Sequence, residues 1–391
     1  MNTEKKNPRD AVIVAAGRSA MAKAFKGSFA ETHPIEYGAQ VLKGVLAKLD
    51  HFDPALIDDV IVGCAFPEKR MGYNAAKLIV QRAGLPDSVC AQTINRFCSS
   101  GLQSIATAAN AIKAGDMDII VAGGCEQMTG MNMVNPDIEI DEKLMEENPD
   151  AYIIMGETAE LVAEKYNISR EDMEEMAVRS HKLAAQAQAA GKFDEEIIPV
   201  TTTFQGKEIT VTKDEGIRPG TSMENLATLK PCFRENGRVT AATSSQMTDG
   251  TGFVVMMARE TAEKLGYTPI ARFVSFAVGG VPANVMGIGP IVAVPKALKK
   301  ANLTLDDISV VELNEAFASQ ALACIKTLEI PMEKVNPNGG AMALGHPLGA
   351  TGAFLTCKVL SELKRRNEKY GMVTMCIGGG MGAAGIFEME S

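Results

Sequence analysis

Cys98 sits in the run Asn95-Arg-Phe-Cys-Ser-Ser-Gly-Leu102, directly before a small-residue stretch, Ser99 to Ala114, that reads as a helix. A cysteine at a helix N-terminus faces free backbone N–H groups and the positive end of the helix dipole, and both favour the thiolate. A buried structural cysteine is the plain alternative. Gly101, which lets another backbone approach closely, tilts the reading toward a nucleophile. His346 lies in Asn338-Gly-Gly-Ala-Met-Ala-Leu-Gly-His-Pro-Leu-Gly-Ala-Thr-Gly352. The residue before a proline is pushed toward extended backbone, and the flanking glycines allow sharp turns. An ordinary glycine turn needs no imidazole, whereas a neutral imidazole within reach of Cys98 would accept its proton and activate it. The other histidines, His33, His51 and His181, read as loop or helix-surface residues.

Two further positions carry open alternatives. Cys376 ends a strand and runs into Ile377-Gly-Gly-Gly-Met-Gly-Ala-Ala-Gly385. It is either a core cysteine or an acid/base thiol beside glycine N–H groups that form an oxyanion hole. The glycine run superficially resembles a dinucleotide loop, but too little chain follows for a βαβ unit, which excludes that role. Asn314, in Val310-Val-Glu-Leu-Asn-Glu-Ala-Phe317, stands where a strand meets a helix; it either caps the helix or orients a water or carbonyl in a cleft.

These residues need elements to position them. Ala11–Ala16, Asp59–Cys64, Asp118–Gly123, Phe253–Met257, Ile308–Leu313 and Met372–Cys376 read as buried strands. Ser100–Ala114, Glu157–Lys165, Ser169–Ala190, Asn314–Leu328 and Gly349–Asn367 read as helices. Their alternation predicts an α/β fold. Cys98-Ser-Ser-Gly101, a helix, and Ile119-Ile-Val-Ala-Gly-Gly124 are echoed by His346-Pro-Leu-Gly349, a helix, and Val373-Thr-Met-Cys-Ile-Gly-Gly-Gly380. The echo implies two similar halves, 1–269 and 270–391, whose corresponding loops face one cleft. Residues of about 124–243, with the acidic, methionine-rich Asn135–Asp150 and polar strands at Pro199–Thr203 and Glu208–Thr212, read as a loop domain inserted into the first half.

The 391 residues carry a net charge of −9, which disfavours binding to nucleic-acid phosphates. The longest uncharged stretch, Phe273 to Pro295, contains four glycines and three prolines and reads as strand and loop rather than a membrane span. The apolar run Ala11–Ala16 is too short for a secretory signal, so the expected compartment is the cytoplasm. The eight cysteines show no Cys-x-x-Cys spacing, so neither a metal site nor a redox dithiol is expected.

The segments around Cys98, Asn314-Glu-Ala-Phe317, Gly339–Gly352 with its Gly-His-Pro, and Cys376-Ile-Gly-Gly-Gly-Met-Gly382 together resemble the thiolase family of acyl-CoA acyltransferases. The resemblance runs in order along essentially the whole chain. It implies a thiolase-type fold, two α/β halves with mixed central sheets sandwiching helices, plus the loop domain. It implies that Cys98 becomes S-acylated, that His346 activates it, and that Cys376 exchanges the α-carbon proton. Asn314 would hold a water that forms one oxyanion hole with His346, and the N–H groups of Cys98 and Gly378 would form the second. Arg218 and Ser245 match positions that contact coenzyme A; Met155 and Met286 match positions lining the pantetheine or acyl tunnel. Coenzyme A would be a co-substrate, with no resident cofactor, and the protein a homodimer or homotetramer. Asp214-Glu-Gly-Ile-Arg-Pro219 and Thr243-Ser-Ser-Gln-Met-Thr-Asp-Gly250 resemble the degradative 3-ketoacyl-CoA branch. The biosynthetic branch, which condenses two acetyl-CoA, often has a histidine where Ile154 stands. A non-catalytic acyl-CoA carrier on the same scaffold would lack Cys98, His346 or Cys376, and all three are present.

Overall fold

The computed structural model describes residues 6–133 and 138–390, so the beginning of the 135–150 stretch lies outside the described residues. The first half contributes β1 (Ala11–Arg18), β2 (Ala22–Lys23), β3 (Asp59–Gly63), β4 (Cys90–Ile94) and β5 (Ile119–Gln127), with helices α1 (Pro34–Leu46), α2 (Ala75–Arg82) and α3 (Ser100–Ala114). The loop domain follows with α4 (Glu142–Glu147), α5 (Met155–Lys165), α6 (Arg170–Ala189), the hairpin β6 (Val200–Phe204) and β7 (Lys207–Val211), and α7 (Met223–Ala227). The chain returns through β8 (Thr248–Ala258) and α8 (Arg259–Leu265). The second half is β9 (Ala271–Gly280), α9 (Gly289–Ala301), β10 (Val310–Leu313), α10 (Ala318–Leu328), α11 (Ala341–Leu344), α12 (Thr351–Arg366), β11 (Tyr370–Ile377) and β12 (Met381–Met389).

Strand pairing makes the internal repeat explicit. β3 runs parallel to β5, β8 is antiparallel to β5, and β1 is antiparallel to β8. In the second half β10 runs parallel to β11, β12 is antiparallel to β11, and β9 is antiparallel to β12. The two sheets are joined rather than separate: β1 and β9 meet edge to edge through Val12–Arg272 and Ile13–Ala271, in the order β10-β11-β12-β9-β1-β8-β5-β3-β4. Each edge would otherwise leave backbone N–H and C=O groups unpaired. β3, β5 and β8 are buried at every position, as strands covered on both faces must be.

Helices α3 and α12 occupy equivalent places in the two halves and pack on each other. Glycine permits the approach: a Cβ on Gly352 would lie 2.1 Å from the Leu102 backbone nitrogen, and one on Gly101 would lie 2.8 Å from the Gly349 carbonyl oxygen. α3 ends where Gly115 turns left-handed at φ 86°. In the loop domain α6 starts at a capping box between Ser169 and Asp172.

Two expectations need correction. Phe273–Pro295 is not strand and loop alone: after β9 the chain enters α9, where Pro290 sits in the first turn and needs no N–H. The helix expected from Asn314 starts at Ala318: Asn314 and Glu315 are irregular chain, Ala316 is a bend, and Phe317 is an extended N-cap residue. The glycine run after Cys376 turns back into β12, which inserts between β11 and β9.

Candidate active site

Cys98 lies on a 3-10 turn, Phe97–Ser99, that leads into α3. Phe97 holds a left-handed φ of 42°, and its N–H donates to Asn95 Oδ1 at 2.7 Å. That strained residue aims the next one. Cys98 is half-buried and packs beside Ala65, Phe66 and Leu348. The backbone N–H groups of Gly378 and of Cys98 itself point at its sulfur and lower its pKa. Burial outweighs them and pushes the thiol up to about 11, with Glu126 adding to the rise. The expected thiolate-favouring environment is therefore corrected: one N–H on the sulfur comes from Cys98's own turn before α3 and the other from the glycine turn after β11, and desolvation outweighs both.

His346 is held in the loop before α12. Its backbone N–H donates to Gln246 O and to Thr248 Oγ1, both at 3.1 Å. Its Nδ1 lies 2.6 Å from Thr351 Oγ1, and Asn314 Nδ2 is 3.3 Å from its Nε2. Burial drives the imidazole pKa down to about 3, so the ring is neutral at physiological pH. Leu348, two residues on, brings this loop against the Cys98 turn. Asn314 is fully buried, its N–H donates to Thr374 O at 3.0 Å, and its side chain caps no helix. Its Oδ1 has no hydrogen-bond partner among the described residues.

Cys376 is fully buried near the C-terminal end of β11, opposite Gly382 of β12. Burial raises its thiol well above the ordinary value, and the neighbouring Cys98 and Cys324 sulfurs raise it further. A thiol so placed holds its proton until a stronger base develops beside it.

Cys98 and Gly378 open onto a cavity of about 380 Å³ whose other walls include Phe66, Phe97, Ile154, Met155 and Leu348. The wall is mainly apolar, suited to an alkyl chain. Met155 lines this cavity; Met286 is buried in the cluster where the second half packs on the loop-domain helices. Ser245 is half-buried beside the site, with its N–H on Ala316 O at 2.9 Å. Arg218 projects from an exposed turn, and its backbone N–H donates to His181 Nδ1 at 3.1 Å. His181 is therefore no helix-surface residue: it is buried on α6, and burial, with Arg218 and Lys23 nearby, lowers its pKa to about 4.

Three residues escaped the sequence reading. Thr351 fixes the imidazole. Glu315 accepts from Ser180 Oγ at 2.7 Å and Asn336 Nδ2 at 2.8 Å, and so ties the 336–342 loop to β10 and α6. Glu126 accepts the N–H groups of Ala65 and Gly349. The usable signal for Glu126 was a lone charge closing the otherwise uncharged buried run Ile119–Cys125.

The chain matches the family described as Thiolase, N-terminal domain over residues 11–260, and Thiolase, C-terminal domain over residues 267–389. It is 51% identical to a 3-ketoacyl-CoA thiolase of Bacillus subtilis (strain 168), over 97% of this chain and 100% of the relative. Among solved structures, the dimeric peroxisomal thiolase of Saccharomyces cerevisiae superposes with a TM-score of 0.92 at 39% identity, covering 99% of each chain. The Bacillus anthracis acetyl-CoA acetyltransferase superposes with a TM-score of 0.90 at 40% identity, over 97% of this chain and 99% of the other. By sequence and by fold, the chain belongs to the thiolase family.

Proposed function

We propose that this protein is a degradative 3-ketoacyl-CoA thiolase, which cleaves a 3-ketoacyl-CoA with coenzyme A into acetyl-CoA and a shortened acyl-CoA. The observation that carries the reading is the convergence of the Cys98 and Gly378 N–H groups on the Cys98 sulfur at the wall of an apolar cavity. Donors fixed before the reaction stabilise an oxyanion without reorganising.

In this reading Cys98 gives its proton to His346 as the sulfur attacks the 3-keto carbon. The bond from that carbon to the α-carbon breaks, and its electron pair passes into the enolate of acetyl-CoA. Cys376 protonates the α-carbon. Incoming coenzyme A restores the Cys376 proton as its sulfur attacks the acyl-Cys98 thioester, and His346 returns its proton to Cys98. Asn314 and His346 hold the enolate oxygen through a water; the Cys98 and Gly378 N–H groups hold the tetrahedral oxygen. Arg218 and Ser245 contact coenzyme A, and Met155 and Met286 line the pantetheine or acyl tunnel. Coenzyme A is a co-substrate, and the chemistry calls on no resident cofactor.

The apolar Ile154 at the cavity favours the degradative reading over acetoacetyl-CoA synthesis. Among the described residues no helix is long and apolar enough to cross a membrane. We further propose a cytoplasmic homodimer, alone or paired into a tetramer, joined along β4, whose outer edge is unpaired in the sheet. Steady-state thiolysis of 3-ketoacyl-CoA substrates from about C4 to C16 tests the function. Measurable cleavage beyond C4 supports it; activity confined to acetoacetyl-CoA would assign the biosynthetic reaction instead.

A further inference from the structure

Glu126 lies on β5 with 1% exposure and collects donors from two separate loops. Its Oε2 accepts Ala65 N–H at 2.7 Å and Gly349 N–H at 2.8 Å; its Oε1 accepts Phe66 N–H at 3.3 Å and lies 3.4 Å from Cys64 Sγ. Ala65 and Phe66 back Cys98, and Asn95 Nδ2, on the nucleophile's own segment, donates to Ala65 O at 2.9 Å. Gly349 follows three residues after His346 on the same loop. The fit leaves no room to slide: a Cβ on Gly349 would lie 2.6 Å from the Ala65 nitrogen and 2.7 Å from Glu126 Oε2.

We propose that Glu126 is a positioning residue of this site: its carboxylate, by accepting N–H groups from Ala65, Phe66 and Gly349 together, holds the turn behind Cys98 and the loop of His346 at one separation. The inference rests on the proposed roles of Cys98 and His346. No cation is paired with Glu126 among the described residues. The titratable groups that face it are Cys64 at the end of β3, Cys98, its neighbour Cys125, and Tyr37 of α1, whose hydroxyl donates to the Glu126 carbonyl at 2.8 Å. Burial, opposed by the three N–H donors, pushes the carboxyl up to about 7. His346, at about 3, and Cys98, at about 11, do not titrate near neutrality. Protonation of Glu126 exchanges acceptor capacity for a donor facing other donors, and the clamp loosens.

The test compares full-length parent, E126Q and E126D in acetoacetyl-CoA thiolysis from about pH 5.5 to 9, with hydrogen exchange of segments 64–67 and 346–352 at both ends of that range. In the parent, kcat falls on the acid side with a midpoint near 7. E126Q at pH 8 turns over up to about 10²-fold slower with KM within about twofold, and its acid limb is gone. E126D is slower at pH 8 but keeps the limb. A flat parent profile, or E126Q with the parent's kcat and limb, overturns the proposal. Both parent segments exchange faster at pH 5.5 than at pH 8 once intrinsic amide rates are divided out; equal protection overturns it, even if neither variant folds. The exchange arm needs no turnover, so a parent inactive on every 3-ketoacyl-CoA but with pH-dependent protection refutes the thiolase reaction and not the clamp.

Discussion

Asn314 and His346 face each other in full burial, with the Asn314 amide nitrogen 3.3 Å from Nε2 and 3.5 Å from Nδ1 of the imidazole. Thr351 Oγ1 holds Nδ1 from the other side at 2.6 Å. Burial keeps the ring neutral, and the amide orients it without adding charge. Asn314→Asp sets a carboxylate there, which raises the imidazole pKa and leaves it protonated and unable to accept from Cys98. The expected loss in kcat is about 10²–10⁴-fold, the usual worth of general-base assistance. Rapid-quench mass spectrometry should show slower acyl-enzyme formation; an unchanged rate would remove Asn314 from the machinery.

The two site cysteines should fail differently. Cys98→Ala forms no acyl-enzyme. Cys376→Ala still takes an acetyl group from acetyl-CoA onto Cys98, because that half-reaction moves no α-carbon proton, but it loses deuterium exchange at the acetyl methyl by about 10²–10⁴-fold. Near-parent exchange in Cys376→Ala, followed by NMR, would contradict this division of labour.

Alkylation separates Cys98 by pH. With its thiol raised to about 11, Cys98 reacts slowly at neutrality, where the exposed Cys90 and Cys232 take iodoacetamide first. Its rate climbs as the pH passes about 9, and prior acetyl-CoA protects it alone. Peptide mapping checks both. Fast labelling of Cys98 at pH 7 would mean that the N–H donors of Gly378 and Cys98 outweigh burial.

His181 links pH to stability. Its folded pKa, about 4, lies below the ordinary histidine value of about 6.5, so between these limits the unfolded chain binds the proton and the folded one does not. The stabilisation it gives is present above about pH 6.5 and is lost as the pH falls toward 4. His181→Asn offers Arg218 N–H an amide oxygen that does not titrate. The fall in Tm between about pH 7 and 4.5 should be smaller in that variant than in the parent; equal falls would refute the linkage.

Gly352→Ala would place a methyl group 2.1 Å from the Leu102 nitrogen, between two central helices that have no free side to move toward. Overpacking of this kind costs about 1–3 kcal/mol, and backbone as the obstacle puts this site at the upper end. Calorimetry reads the loss as a lower Tm.

Where burial and sequence pattern coincide, the fold was legible. Residues 100–114 form a helix with the bounds that their small side chains and Gly115 suggest, and β3, β5 and β11 are apolar runs between turns. β4 was missed because Cys-Ala-Gln-Thr-Ile lies at an exposed edge and has no apolar face to display. β12 was not among the expected strands, because its glycines and alanines show no apolar alternation and it is the strands on both sides that bury them. At the candidate site, residue types drew attention to Cys98 and His346 and left Cys376 and Asn314 each with a structural alternative. The pKa of Cys98 was not legible, since desolvation is a property of its neighbours. Nor were Thr351 and Glu126, whose partners lie 5 and 223 residues away in the chain.

β12 runs inside the sheet between β11 and β9, and the turn that leads into it carries Gly378. A single strand insertion thus both joins β11 to the rest of the sheet and brings the second N–H to the Cys98 sulfur. Any opening that frees β12 therefore withdraws that N–H, while Cys98, in the first half, keeps its own turn and helix.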